Sequence, residues 1–160
     1  MPSDKRLPVQ VAALPYRMID GQAEVLLVTS RGTRRWIIPK GWPMKGKKHH
    51  RVAELEALEE AGCKGQVARK PFGQYEAWKR LSDHFLLCTV EVFPLLVRRQ
   101  RKTWLEQSER RSLWFKILDA ADIVEEPGLR SVIRDFAASL GEPKASRAAR
   151  KAQAADAPVS

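Results

Sequence analysis

The stretch from Pro39 to Cys63, PKGWPMKGKKHHRVAELEALEEAGC, decides the fold. It opens on Pro39-Lys40-Gly41-Trp42-Pro43, a loop, because its prolines exclude a helix interior and a central strand alike. From about residue 48 to residue 61 the chain turns to strong helix formers, and Gly62 stands where a left-handed C-cap belongs. At about 100° per residue, Glu56 and Glu60 lie about 40° apart on this helix, with Glu59 about 60° to the other side of Glu56. The three carboxylates therefore share one face. Like charges at i,i+4 cost an isolated helix about 0.2–0.5 kcal/mol, and the C-terminal end of a helix disfavours negative charge further. A cluster set against both effects points to a positive partner. Mg²⁺ is the natural one, since it takes oxygen ligands. A solvated acidic face is the bland reading of the same residues.

On either side of this stretch the chain reads as strands. Val9 to Leu14 continues toward Met18, and Asp20-Gly21 turns it into a second strand, Ala23 to Thr29. Trp36-Ile37-Ile38 is a short buried strand running into the loop. Val67 to Trp78 and Phe85 to Val97 form a later pair, and Arg98 to Ser108 is a polar, basic loop. Leu113 to Ile117 is a further strand. Residues 128–140 form an amphipathic helix with Leu129, Val132, Ile133, Phe136 and Leu140 on one stripe. Strands, a helix, more strands and a last helix argue an α+β fold, or an α/β/α sandwich. Trp36, Trp78, Trp104 and Trp114 are expected mostly in the core, whereas Trp42 lies in the loop, where stacking on a base is the minority reading.

The whole of Gly41 to Cys63 resembles the Nudix box: Gly, five residues, Glu, seven residues, Arg-Glu, an apolar residue, any residue, Glu-Glu, any residue, Gly and an apolar residue. Gly41, Glu56, Ala57, Glu59, Glu60, Gly62 and Cys63 match in register. Lys47 stands where the pattern has its first Glu, and Leu55 where it has Arg. An Arg at 55 would lie one turn before Glu59 and could pair with it; Leu55 cannot, and the loss of such support typically costs about 10–100-fold in affinity or activity. VAALPYR, VLLVTSR, RRWIIPKG, the WKR before Phe85 and LWFKILDAADIV extend the likeness from about Val9 to Phe136. They resemble diphosphoinositol polyphosphate phosphohydrolases and their bacterial relatives.

The resemblance implies a Nudix α/β/α sandwich with a mixed central sheet, a catalytic helix at about 48–61 and a C-terminal helix at about 128–140. It implies Mg²⁺ or Mn²⁺ held by Glu56, Glu59 and Glu60 with the Gly41 carbonyl nearby. It further implies cleavage of a phosphoanhydride in a nucleoside-diphosphate-X, dinucleoside polyphosphate or inositol pyrophosphate type of substrate. Glu56 and Glu59 are the catalytic candidates, the general base being Glu56 or, from the later loop, Glu106 or Glu109. Arg31, Lys40 and Arg80, beside the matched motifs, are the candidate phosphate-binding residues. His49 and His50 have no third ligand at zinc spacing and read as polar residues of the helix start.

Composition agrees. The chain has 160 residues, of which 29 are Lys or Arg and 19 Asp or Glu, for a net charge of +10. That balance favours a phosphate-rich partner, with RNA possible but not favoured. One domain is expected over residues 1–140, and a disordered basic tail over 141–160. Two cysteines without a pairing pattern fit a reducing, cytoplasmic setting, and neither a signal peptide nor a membrane span is expected. The reading from another class is a catalytically weakened or silent Nudix domain that binds a nucleotide, a polyphosphate or RNA. The basic charge, Lys47 and Leu55 favour it; the retained carboxylates oppose it.

Overall fold

Asp20 and Gly21 both adopt positive φ, 51° and 76°, as the tightest hairpin turns require. They fold β1 (Val9–Ile19) back on β2 (Gln22–Thr29), with Tyr16 opposite Val25 and Ile19 opposite Gln22. The computed structural model that shows this describes residues 6–141, so the tail expected at 141–160 lies, but for Gly141, outside the described residues. β3 (Trp36–Ile37) and β8 (Ser112–Lys116) both pair with β2, and β4 (Lys40–Gly41) pairs with β1. The long β7 (Phe85–Gln100) runs parallel to β1 from Val9↔Thr89 to Tyr16↔Leu96. Its first half also pairs with β6 (Gly73–Arg80) and its second with β5 (Cys63–Val67). One mixed sheet results.

Alternation along β1 sends its residues to two cores. Val11 and Ala13 join Leu26, Val28, Phe93 and Leu95 beneath α1 (His49–Ala61), which presents Val52, Ala53, Ala57 and Ala61. Ala12 and Leu14 join Val25, Leu27, Val90 and Val92 beneath α2 (Ile117–Ile123) and α3 (Pro127–Ser139), where Leu129, Val132, Ile133 and Phe136 are buried. Helices cover both faces, as the α/β/α expectation has it. Among the described residues no helix is long and apolar enough to cross a membrane.

Four local readings need correction. Lys40 and Gly41, expected in a loop, form the two-residue β4 opposite Ala12 and Val11, which the flanking Pro39 and Pro43 permit because they stand outside it. The strand expected from Val67 to Trp78 is two, β5 and β6, separated by a break that holds Pro71. The segment after β8, expected to continue as strand through Ile117, turns there into α2. Trp78 is 64% exposed and not core, since it falls on the outward-facing positions of β6 with Gln74, Glu76 and Arg80.

Candidate active site

The sequence puts a glycine at 41 and carboxylates one turn apart at 56 and 60. The fold brings them together. A side chain on residue 41 would run into the Glu56 carboxyl group and push it from its place, so the bare Gly41 leaves room for that carboxyl group between β4 and α1. Glu56 and Glu60 are buried, 8% and 3% exposed, and their carboxyl groups hydrogen-bond to each other. The Lys40 backbone N–H donates to Glu60 Oε2 at 3.3 Å. Burial raises the pKa of both acids; that of Glu60 is pushed up to about 9, so Glu60 holds the proton and donates to Glu56.

Arg110 completes this floor. Only 10% exposed, its guanidinium lies 3.5 Å from Glu60 Oε1 and 2.9 Å from Glu106 Oε1, and Nη1 donates to the Thr29 carbonyl at 3.1 Å. Residues 101–111 in turn are fastened to the C-terminal end of α1. The Glu106 N–H donates to the Glu59 carbonyl at 2.9 Å, the Arg101 N–H to the Gly62 carbonyl at 2.8 Å, and Gln100 Nε2 to the Ala61 carbonyl at 3.1 Å. Gly62, at φ 69°, packs flat against the Trp104 ring, leaving no room for a side chain. These contacts satisfy carbonyls that a helix end otherwise leaves orphaned.

Above the floor opens a cleft of about 1300 Å³. Arg31, Lys40 and Arg80 all line it, and so do Arg35 and Lys79. Lys40 is half-buried, and desolvation lowers its pKa. Arg31 is ion-paired at 3.2 Å with Glu109, which stands 45% exposed, while Glu106 is only 15% exposed and reaches the cleft floor. Arg17 is drawn elsewhere: it pairs with Glu24 at 2.7 Å and covers Trp114 at 4.0 Å. Trp42, Trp78 and Phe85 form an exposed aromatic rim.

Of the three glutamates, the structure joins Glu56 and Glu60; Glu59 is half-exposed and does not line the cleft. Among the described residues no three carboxylate, imidazole or thiol groups converge into a closed cation cage. The donors that do converge suit a hard divalent cation, because two oxygen side chains meet around one proton that a cation would displace. His49 Nδ1 pairs with Glu91 Oε1 at 2.5 Å and Arg51 with Glu54 at 3.1 Å, so neither serves this floor. Sequence reasoning missed Arg110, whose only trace is its place four residues after Glu106, and Gln10, which is buried in the cleft wall with Oε1 unpartnered.

Comparison with known proteins gives the family. A diphosphoinositol polyphosphate phosphohydrolase 3-alpha of Mus musculus is 31% identical over 121 residues, covering 72% of this chain and 68% of that protein. The chain belongs to the Nudix hydrolase family. Members of this family are phosphoanhydride hydrolases, and they generally use divalent metal ions. Nudix hydrolase 18 of Arabidopsis thaliana is 30% identical over 119 residues, and the match spans 70% of the chain but just under two thirds, 66%, of that relative's length. Among solved structures, a Nudix hydrolase from Nitrosomonas europaea superposes with a TM-score of 0.64 at 22% identity, covering 86% of this chain and 93% of its own. An Ap4A hydrolase of C. elegans gives 0.63 at 19%, covering 84% and 99%. These two likenesses speak for the Nudix fold. No family model matches the chain.

Proposed function

We propose that this Nudix chain is a metal-dependent pyrophosphohydrolase acting on a nucleoside-diphosphate-X, dinucleoside polyphosphate or inositol pyrophosphate type of substrate. The buried Glu56–Glu60 pair on the floor of a cation-lined cleft carries the reading. Glu56, Glu60 and the Gly41 backbone would hold Mg²⁺ or Mn²⁺; Glu59, half-exposed and off the cleft lining, would act on the ion only through a water molecule. Bound there, the ion would neutralise phosphate oxygens and lower the pKa of a water molecule. Arg31, Lys40 and Arg80 would grip the phosphates. Glu106, oriented by Arg110, is the carboxylate of the later loop best placed to take a proton from water. Glu109 is less well placed, since it stands outside the cleft lining.

The substrate range rests on relatives and neighbours: one relative is named for diphosphoinositol polyphosphate, one neighbour for Ap4A, and another, the Nudix domain of Shewanella oneidensis NrtR, is complexed with ADP ribose. The silent-domain reading is opposed by the buried Glu56–Glu60 pair, which a binding module alone has no chemical reason to keep. The two buried free thiols favour a reducing, cytoplasmic compartment.

The test is phosphate release with Mg²⁺ or Mn²⁺ across dinucleoside polyphosphates, nucleoside-diphosphate sugars, nucleoside triphosphates and inositol pyrophosphates. Turnover should require the ion and fall by more than about 100-fold in Glu60→Gln, beyond the loss expected from a merely supporting residue. Full activity in both Glu56→Gln and Glu60→Gln sinks the assignment.

A further inference from the structure

The two positions at which this chain departs from the Nudix box meet at one place, and it is not the cleft. Lys47 and Leu55 both line a separate groove of about 450 Å³ on the outer flank of α1. Leu55 lies about 140° around the helix from Glu60, so the groove and the carboxylate floor use different faces. Three segments build it. The loop before α1 gives Lys47 and Lys48, the helix gives Arg51, Leu55 and Leu58, and β5 gives Lys64. Among the described residues Glu54 is its only acid, and it pairs with Arg51 at 3.1 Å. Among the described residues Lys47, Lys48 and Lys64 make no ion pair.

Both departures push the groove the same way. The Glu of the family pattern at 47 would repel an anion, and a guanidinium at 55 would cover the floor with charge. Lys47 reverses the first, and Leu55 leaves an apolar floor with Leu58. Unpaired like charges around a concavity repel one another and focus a positive potential into it. Lysines on flexible stems suit phosphate as point charges, and an apolar floor suits the organic part of a ligand. The groove's volume falls within the ~300–1000 Å³ of small-molecule sites, which favours a small ligand over a nucleic-acid strand. We propose that this groove is a second ligand site, separate from the cleft, that binds a small phosphorylated anion through Lys47, Lys48 and Lys64 over Leu55 and Leu58.

The test is calorimetric titration of the full chain with tripolyphosphate and with ADP, with divalent ions chelated so that nothing turns over. The groove event is read by its loss in the groove variant alone, whether or not the cleft contributes a second equivalent. Lys47→Glu/Lys64→Glu alters two exposed side chains, and circular dichroism checks its fold; the milder Lys47→Gln/Lys64→Gln repeats the test should the first variant misfold. We expect two equivalents bound by the wild type and one by the groove variant, or at least a ten-fold weaker second event. Arg31→Ala/Arg80→Ala should keep the groove event. A single equivalent lost only in the cleft variant overturns the proposal, as does no binding at all. Preferred binding of a single-stranded RNA oligonucleotide, with the same lysine dependence and neither small anion retained, would overturn the small-molecule assignment in favour of nucleic acid.

Discussion

Arg110 shows how much a single side chain can settle. It is almost wholly buried and faces two carboxylates, Glu60 and Glu106, while also bonding to the Thr29 carbonyl. Removing one partner of a buried charge cluster leaves the others uncompensated, at a cost of about 3–5 kcal/mol. Because Glu60 can keep its proton, Arg110→Met should fall at the low end, near 3 kcal/mol in urea denaturation of the metal-free protein. A loss under about 0.5 kcal/mol, the usual scatter of surface substitutions, would show that Arg110 is not the keystone of this floor. The sequence hides this role. Arg110 sits just past the polar, basic loop Arg98 to Ser108, and its partner Glu60 is far away along the chain. The carboxylate pair is legible by contrast, because Glu56 and Glu60 lie on one helix whose geometry is known in advance.

At the scale of the element, α1 is set close to the sheet by small residues. Ala53, Ala57 and Ala61 face Val11, Ala13 and Phe93, and that close seat brings Glu56 against Gly41. Ala57→Leu would overpack this contact, at about 1–3 kcal/mol, and lift the helix that carries both carboxylates. We expect kcat/KM to fall at least ten-fold. Ile133→Val, on α3 across the sheet, costs about 0.5–1.5 kcal/mol and should leave kcat/KM within two-fold. Equal kinetic effects in the two variants would mean that global stability, not the seat of α1, governs activity. α3 was readable from its apolar stripe, and α1 from its run of helix formers closed by Gly62. The short α2 was not, since seven residues hold too few turns to show a period. Trp78 misled for a related reason: strand alternation tells that two faces differ, but which one meets solvent depends on what packs there, and α3 covers the Tyr75 and Ala77 side.

The whole molecule feels the buried acid pair through pH. Glu60 ionises in the unfolded chain near its ordinary pKa of 4.5 but in the folded protein only at about 9. Between those limits the folded state binds more protons than the unfolded one, so folding stability falls as pH rises. The chelated protein should therefore be most stable at the acid end of this window and lose ground steadily toward pH 9, as read by the urea midpoint. Glu60→Gln, which carries no proton to lose, should flatten the slope. A wild-type stability that rises across the window would contradict a shared proton. An ion that binds in place of the proton should reverse the trend, because its affinity grows as protons leave.

The fastening of residues 101–111 to the end of α1 bears on how a ligand arrives. Loops that fold down over a substrate charge an ordering entropy to every binding event, and that entropy weakens affinity. Here the Trp104 ring against Gly62 and the bonds from Arg101 and Glu106 have already immobilised the segment in the free protein. Glu106 and Arg110 are thus in place before any ligand arrives, and the proposed phosphate grip would not be diluted by the cost of closing a lid at this edge.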